Sequence, residues 1–207
     1  SNLIFQKFFY WYPIDIEMLD NKLFELSVGI LPYPITFLIT DLISEIYGKK
    51  KANDVVITGI FASFFSITIL LISEAVPAIE NSPISDEEFK KVFSVSSIAV
   101  FASMLAYLIA QLVDIRIYHF WKKLTKGKLL WLRNNFSTFS SQFIDSCLVI
   151  GLLCFFDILS WDLFWGLALS AIIFKVFVAL IDTPFLYFFV WLLRKKFNLK
   201  INEEIKY

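Results

Sequence analysis

Histidine is almost missing from this sequence. His119 stands alone, and no Cys-x-x-Cys accompanies Cys147 and Cys154, so neither a tetrahedral zinc site nor a haem-attachment site finds its ligands. The two cysteines are seven residues apart in one apolar run. On a helix they share a face but lie about 10 Å apart along the axis, too far to bond, and they read as small core residues. Gly-x-x-x-x-Gly-Lys-Ser/Thr is absent, which removes ATP hydrolysis by a P-loop, and so are Gly-x-Ser-x-Gly and His-Glu-x-x-His. His119 itself reads as part of a basic connection, so no enzyme and no cofactor is expected. Charge is also scarce, at 18%, and balanced, with 19 Lys+Arg against 19 Asp+Glu; nothing in that balance calls for a nucleic acid. There is no internal repeat, low-complexity tract or long linker, and one domain over residues 1–207 is expected.

Apolar residues fill the space that charge leaves. They make up 58% of the chain, with a mean hydropathy of +0.69, where a soluble domain has about 45–50%. Five apolar stretches, 24 to about 47, 55–72, 93–121, 136–159 and 163–193, are each long enough to cross about 30 Å of hydrocarbon as helices. Barrel strands are shorter and alternate in polarity, which runs such as Leu148-Val149-Ile150-Gly151-Leu152-Leu153 do not. A sixth stretch opens the chain, through Leu3-Ile4-Phe5 and Phe8-Phe9-Tyr10-Trp11. It starts at Ser1, shows no signal-peptide layout, and is too short to span; it reads as the truncated remainder of a first transmembrane helix. The fold class is therefore all-α: a polytopic membrane bundle of about six helices.

The connections alternate in charge. The first, third and fifth carry mainly acids (Asp15, Glu17 and Asp20; Glu74 to Glu88; Asp157 and Asp162). The second, the fourth and the C-terminus carry Lys49 to Lys51, Arg116 to Arg133, and Arg194 to Lys200. Basic loops stay in the cytoplasm, so the C-terminus is expected there, with the protein in the inner (cytoplasmic) membrane. Trp131, Trp161 and Trp165 fall near the expected interfaces.

Ionisable groups at membrane depth cost about 2.5–3.5 kcal/mol each on insertion scales and are functional candidates. Asp41 and Glu45 share a helix face behind Pro32 and Pro34, which favour a break or kink, and Gly48 suits the helix C-cap. Ser103, Tyr107, Gln111, Asp114 and Tyr118 form one polar stripe. Thr138, Ser141, Gln142 and Asp145 form another, after Arg133-Asn134-Asn135, while Lys175 and Asp182 face one way two turns apart. Interhelical hydrogen bonds account for the hydroxyls; full amides and charges are an expensive way to tie helices. Acids at depth outnumber the lysines, so either carboxylates are protonated or a cation or donor-rich ligand completes them.

The run from Pro34 to Lys50, with its Thr-Asp-x-x-x-Glu-x-Tyr-Gly element, resembles the signature of the queuosine precursor transporters, also called the vitamin uptake transporter family. Trp131-Leu132-Arg133-Asn134-Asn135-Phe136-Ser137-Thr138, Gln111-Leu112-Val113-Asp114, Gln142 with Asp145, and Lys175 followed by Thr183-Pro184 are similar to it as well. The resemblance implies import of 7-deazaguanine bases for salvage into tRNA, and a six-helix fold similar to the substrate-binding subunits of energy-coupling-factor transporters. An energising ATPase partner or a homo-oligomer is compatible with it. So is a second role, as binding subunit for another vitamin-like molecule coupled to a separate ATPase. The expected substrate-binding set is Asp41, Glu45, Gln111, Arg133, Asn135, Gln142, Asp145, Lys175 and Asp182, with the bilayer as the other partner.

Overall fold

Hydrocarbon offers backbone groups nothing to bond to, so long apolar runs close their own ladders as helices. The computed structural model describes residues 7–10, 25–93 and 97–205. Among these, six α-helices follow one another: α1 (Tyr33–Ile46), α2 (Gly48–Ala75), α3 (Asp86–Phe93), α4 (Ser97–Leu124), α5 (Leu130–Phe155) and α6 (Phe164–Phe197). Five segments are long and apolar enough to cross a membrane: Val28–Ile46, Gly48–Ala75, Ala99–Leu124, Leu130–Phe155 and Trp161–Phe197. They coincide with the five full stretches expected. Most of the sixth, at the start of the chain, lies outside the described residues. The part of it that is described, β1 (Phe8–Tyr10), is a strand rather than a helix, paired antiparallel with β2 (Glu25–Ser27) in the register Phe9↔Leu26. Its backbone groups are thus satisfied across a ribbon instead of along a helix.

Two segments differ from the sequence expectation in detail. Pro34 sits in the first turn of α1, where a missing N–H is harmless, so the prolines start this helix rather than kink it. A 3-10 turn, Val28–Ile30, precedes it, and the short α1 covers only about 21 Å at 1.5 Å per residue. At its other end Tyr47 is the cap and Gly48 takes φ +83°, the left-handed turn anticipated there. The acidic connection is not bare loop: it folds into α3. Ser85 and Glu88 exchange bonds at its start, Ser85 N–H to Glu88 Oε2 at 2.9 Å and Glu88 N–H to Ser85 Oγ at 3.3 Å, a capping box. The Ser85 amide and hydroxyl hold the Glu88 carboxyl below its ordinary range.

Which side chains point inward shows what solvent the bundle is built for. Helix α5 buries Arg133, Asn134, Asn135, Ser137, Thr138, Ser141, Gln142 and Asp145 and leaves Trp131, Phe136 and Phe143 exposed. A water-soluble helix does the reverse; this one faces hydrocarbon. Helix α2 buries only its first turns, through Gly48, Ala52 and Val56, and presents Phe61, Phe64 and Phe65 outward. Trp161 and Trp165 are likewise exposed, as interfacial rings should be. Cys147 and Cys154 are both free.

Helix α5 packs between α4 and α6, and α1 sits against α2, α4 and α6. On α4, Ala102, Ala106 and Ala110 are fully buried at four-residue spacing, the small residues that let membrane helices approach closely. Replacing Ala106 by Leu should lower stability by about 1–3 kcal/mol through overpacking, read as a lower unfolding temperature in detergent. Phe64→Leu, on the exposed face of α2, should leave that temperature unchanged.

Candidate functional site

Four carboxylates lie in the dry interior: Asp41 at 1% exposure, Glu45 at 0%, Asp114 at 0% and Asp145 at 2%. A buried charge is tolerated only when paired and hydrogen-bonded, so the partners of each define what it does. The four fall into three different arrangements.

Glu45 is saturated. Arg133 Nη2 lies 2.8 Å from its Oε1, Arg194 bonds the same oxygen, Lys122 Nζ is 3.7 Å from Oε2, and the Tyr118 hydroxyl donates to Oε2 at 2.9 Å. Lys122 also donates to the Ser44 and Glu45 carbonyls at 3.3 and 3.0 Å, meeting the unpaired C=O groups at the end of α1. Its third partner is Glu204 at 2.7 Å. The tail after α6 is held there by a backbone bond from Ile205 N–H to the Ile46 carbonyl, 2.9 Å. Gly48 lies so close beneath it that a Cβ would stand 2.2 Å from Glu204 Oε2. This knot joins α1, α4, α5, α6 and the tail.

Asp145 has one cation and one phenol. Lys175 Nζ is 2.5 Å from its Oδ2 and 3.0 Å from Ser146 Oγ, and the Tyr33 hydroxyl donates to Oδ1 at 2.6 Å. Lys175 Nζ also stands 4.7 Å from the centre of the Tyr33 ring, within cation–π range. The group borders a small cleft; Tyr33, Phe37, Asp41, Gln142, Lys175 and Asp182 are on its wall. Gln142 Oε1 is buried without a hydrogen-bond donor.

Asp41 and Asp114 have each other. The two acids are neighbours that act on each other directly, and among the described residues neither has an ion-pair partner. The Thr138 hydroxyl reaches Asp41 Oδ2 at 3.4 Å. Ser141 Oγ is 2.9 Å from Asp114 Oδ1 and 3.0 Å from the Thr138 carbonyl, so its single proton serves one of them at a time.

Of the nine residues expected to meet a substrate, Asp41, Gln142, Lys175 and Asp182 line the cleft, and Asp145 holds Lys175 in it. Gln111 stands behind, its Oε1 3.0 Å from the Thr40 hydroxyl. Asn135 Nδ2 is engaged by Thr183 Oγ1 at 3.1 Å and the Trp131 carbonyl at 3.0 Å. Glu45 and Arg133 lie outside the cleft wall, in the knot. Sequence reasoning did not select Tyr33, although its place between two prolines at a helix start marks it. Lys122 was read only as a loop cation and is instead buried. His119 belongs to α4 and not to the connection after it.

Five long apolar helices around buried polar groups define a multi-pass membrane protein. A family model described as "putative vitamin uptake transporter" matches residues 27–189, most of the chain, and the chain belongs to this family. It is also similar, at 28% identity over 162 residues, to the "probable queuosine precursor transporter" of Bacillus subtilis (strain 168), covering 78% of this chain and 70% of that protein. No solved structure matches it.

Removing the Glu45 charge leaves Arg133 and Arg194 facing each other without their counter-charge, and Lys122 with Glu204 alone. Glu45→Gln should cost about 3–5 kcal/mol, the range for breaking a buried pair, and show as a lower unfolding temperature in detergent. Arg133→Lys, which keeps charge but loses the fork, should fall between it and the native chain.

Proposed function

We propose that the protein imports 7-deazaguanine queuosine precursors, such as the 7-cyano or 7-aminomethyl base or queuine, across the inner membrane for tRNA salvage. The observation that carries this is the Tyr33–Asp145–Lys175 group beside the unpaired Gln142 Oε1, in a cleft within a chain of this family. The relative's name supports the choice of substrate class.

A guanine-type edge presents a ring N–H and an exocyclic amine beside a carbonyl oxygen. Lys175, fixed by Asp145 and Ser146, keeps a donor for the carbonyl. Gln142 Oε1 lacks a donor and takes an N–H, and the half-buried Asp182 carboxylate on the same wall accepts the amine or pairs with an aminomethyl cation. Phe37 and Tyr33, with ring centres 5.5 Å apart, give the flat base an aromatic side to lie against. Asp145 acts by positioning Lys175: because Lys175 and Tyr33 already occupy its two oxygens, it has little to offer a ligand directly. The basic connections support a cytoplasmic C-terminus; in that orientation the Glu45 knot is at the cytoplasmic end and the cleft is deeper in the membrane.

Cells unable to synthesise the base, expressing this protein, should regain queuosine in tRNA when supplied with a precursor. Gln142→Ala and Lys175→Gln should each reduce uptake at least about tenfold, the effect of losing about 1.4 kcal/mol of binding. Normal uptake by both, at wild-type membrane levels, would remove the cleft as the substrate site. Uptake by the purified chain in liposomes without added ATPase separates this role from that of a binding subunit.

A further inference from the structure

The arrangement not used by the substrate reading is the acid pair. We propose that Asp41 and Asp114 hold a single exchangeable proton between them, and that its binding and release are coupled to passage of the base through the adjoining cleft. The inference rests on the reading of the cleft as a base-import site and adds the coupling ion to it.

Glu45 and Asp145 are answered by cations, whereas Asp41 and Asp114 have no ion-pair partner among the described residues. Two side chains nearly or fully without exposure thus place two carboxylates side by side, served by hydroxyls. Asp41 Oδ1 and Asp114 Oδ2 have no donor at all, although buried oxygens of this kind are almost always bonded. One proton shared by the carboxyls removes one of the two like charges, as in other carboxylate pairs that cannot both ionise. Gln111 Nε2, on α4 one turn before Asp114, is buried without an acceptor, so this junction holds unused capacity on both the donor and acceptor sides.

The surroundings keep the pair responsive. On α1, Glu45 follows Asp41 by one turn, and on α4 Tyr118 follows Asp114 by one turn, but both are committed to the knot. From α5 come the hydroxyls of Ser137, Thr138 and Ser141, with Asn134 and Gln142 on the cleft wall and Arg133 committed to Glu45. From α6, across the cleft, come Asp182 and Lys175, the latter tied to Asp145. Helix α2 packs nearby through the apolar Ala52 and Val56. Among the described residues, no neighbour is a free cation that could replace the proton. Asp41 is on the cleft wall and Asp114 is behind it, so a base entering the cleft changes the solvation of one member while the other stays dry. That is the differential contact through which ligand and proton bias each other.

The purified full chain in liposomes tests this with labelled 7-cyano-7-deazaguanine as the probe. Equilibrium binding in detergent is measured first, then accumulation under an acid-outside pH gradient, a sodium gradient, or neither. A gradient of about one pH unit should support up to about tenfold accumulation at one proton per base, collapsing with a protonophore. Asp114→Asn should bind the base within about threefold of wild type and exchange internal for external base, yet accumulate none; threefold is well under 1 kcal/mol. Bound base with accumulation indifferent to the pH gradient, or following sodium, overturns the coupling alone, as does undiminished accumulation by Asp114→Asn. Absence of binding by the wild type overturns the substrate reading and the coupling with it. The wild-type gradient measurement decides even where the variant fails to fold.

Discussion

Every charge drawn into a membrane interior must be neutralised there, because no water is available to do it. That constraint arranges this molecule. The helices could pack as plain apolar rods; instead α5 turns its amides, hydroxyls, Arg133 and Asp145 inward and its phenylalanines out. Three buried acid groups result, and they differ by how completely they are answered. Glu45 has three cations and a phenol and is a mechanical joint. Asp145 has one cation and one phenol and fixes a lysine in place. Asp41 and Asp114 have no counter-charge.

The gradation maps onto position. The fully answered group lies where α1 turns sharply into α2 and α6 ends, so it ties together elements distant in sequence: Glu45 with Arg133, Arg194 and, through Lys122, Glu204. The partly answered groups sit around the cleft, where an incoming molecule can supply what is missing. Rigidity at one end and unsatisfied polarity further in are what a protein needs if it is to hold its bundle while a guest enters and leaves.

Much of this was legible in the sequence. Five full-length apolar stretches predict the five spans because lipid leaves the backbone no alternative to a helix. The Asp41–Glu45 spacing and the α5 stripe identified the buried acids because apolar rods expose any polar insertion. Partnership was not legible. Asp41 and Glu45 are one turn apart on one face, yet one touches Asp114 and the other two arginines, since neighbours across a bundle depend on helix rotation and depth that no local pattern encodes. Lys122 shows the same limit: among the basic residues from Arg116 to Arg133 it reads as a topological marker, and only the fold reveals that, from the last turn of α4, it reaches over the end of α1. The start of the chain failed for another reason. Phe8–Tyr10 is apolar enough for a helix but pairs with Glu25–Ser27, and short apolar runs do not distinguish the two by periodicity.

The tail contact has a bearing on biogenesis. Chains emerge N-terminus first, so Glu45, Lys122 and Arg133 enter the bilayer before Arg194 and Glu204 have been synthesised. Until α6 and the segment after it emerge, the newborn bundle carries a Glu45–Arg133–Lys122 group without Arg194 and Glu204. Quality control that inspects membrane proteins for unpaired polarity thus has, in this chain, a marker for whether α6 and the segment after it have been made.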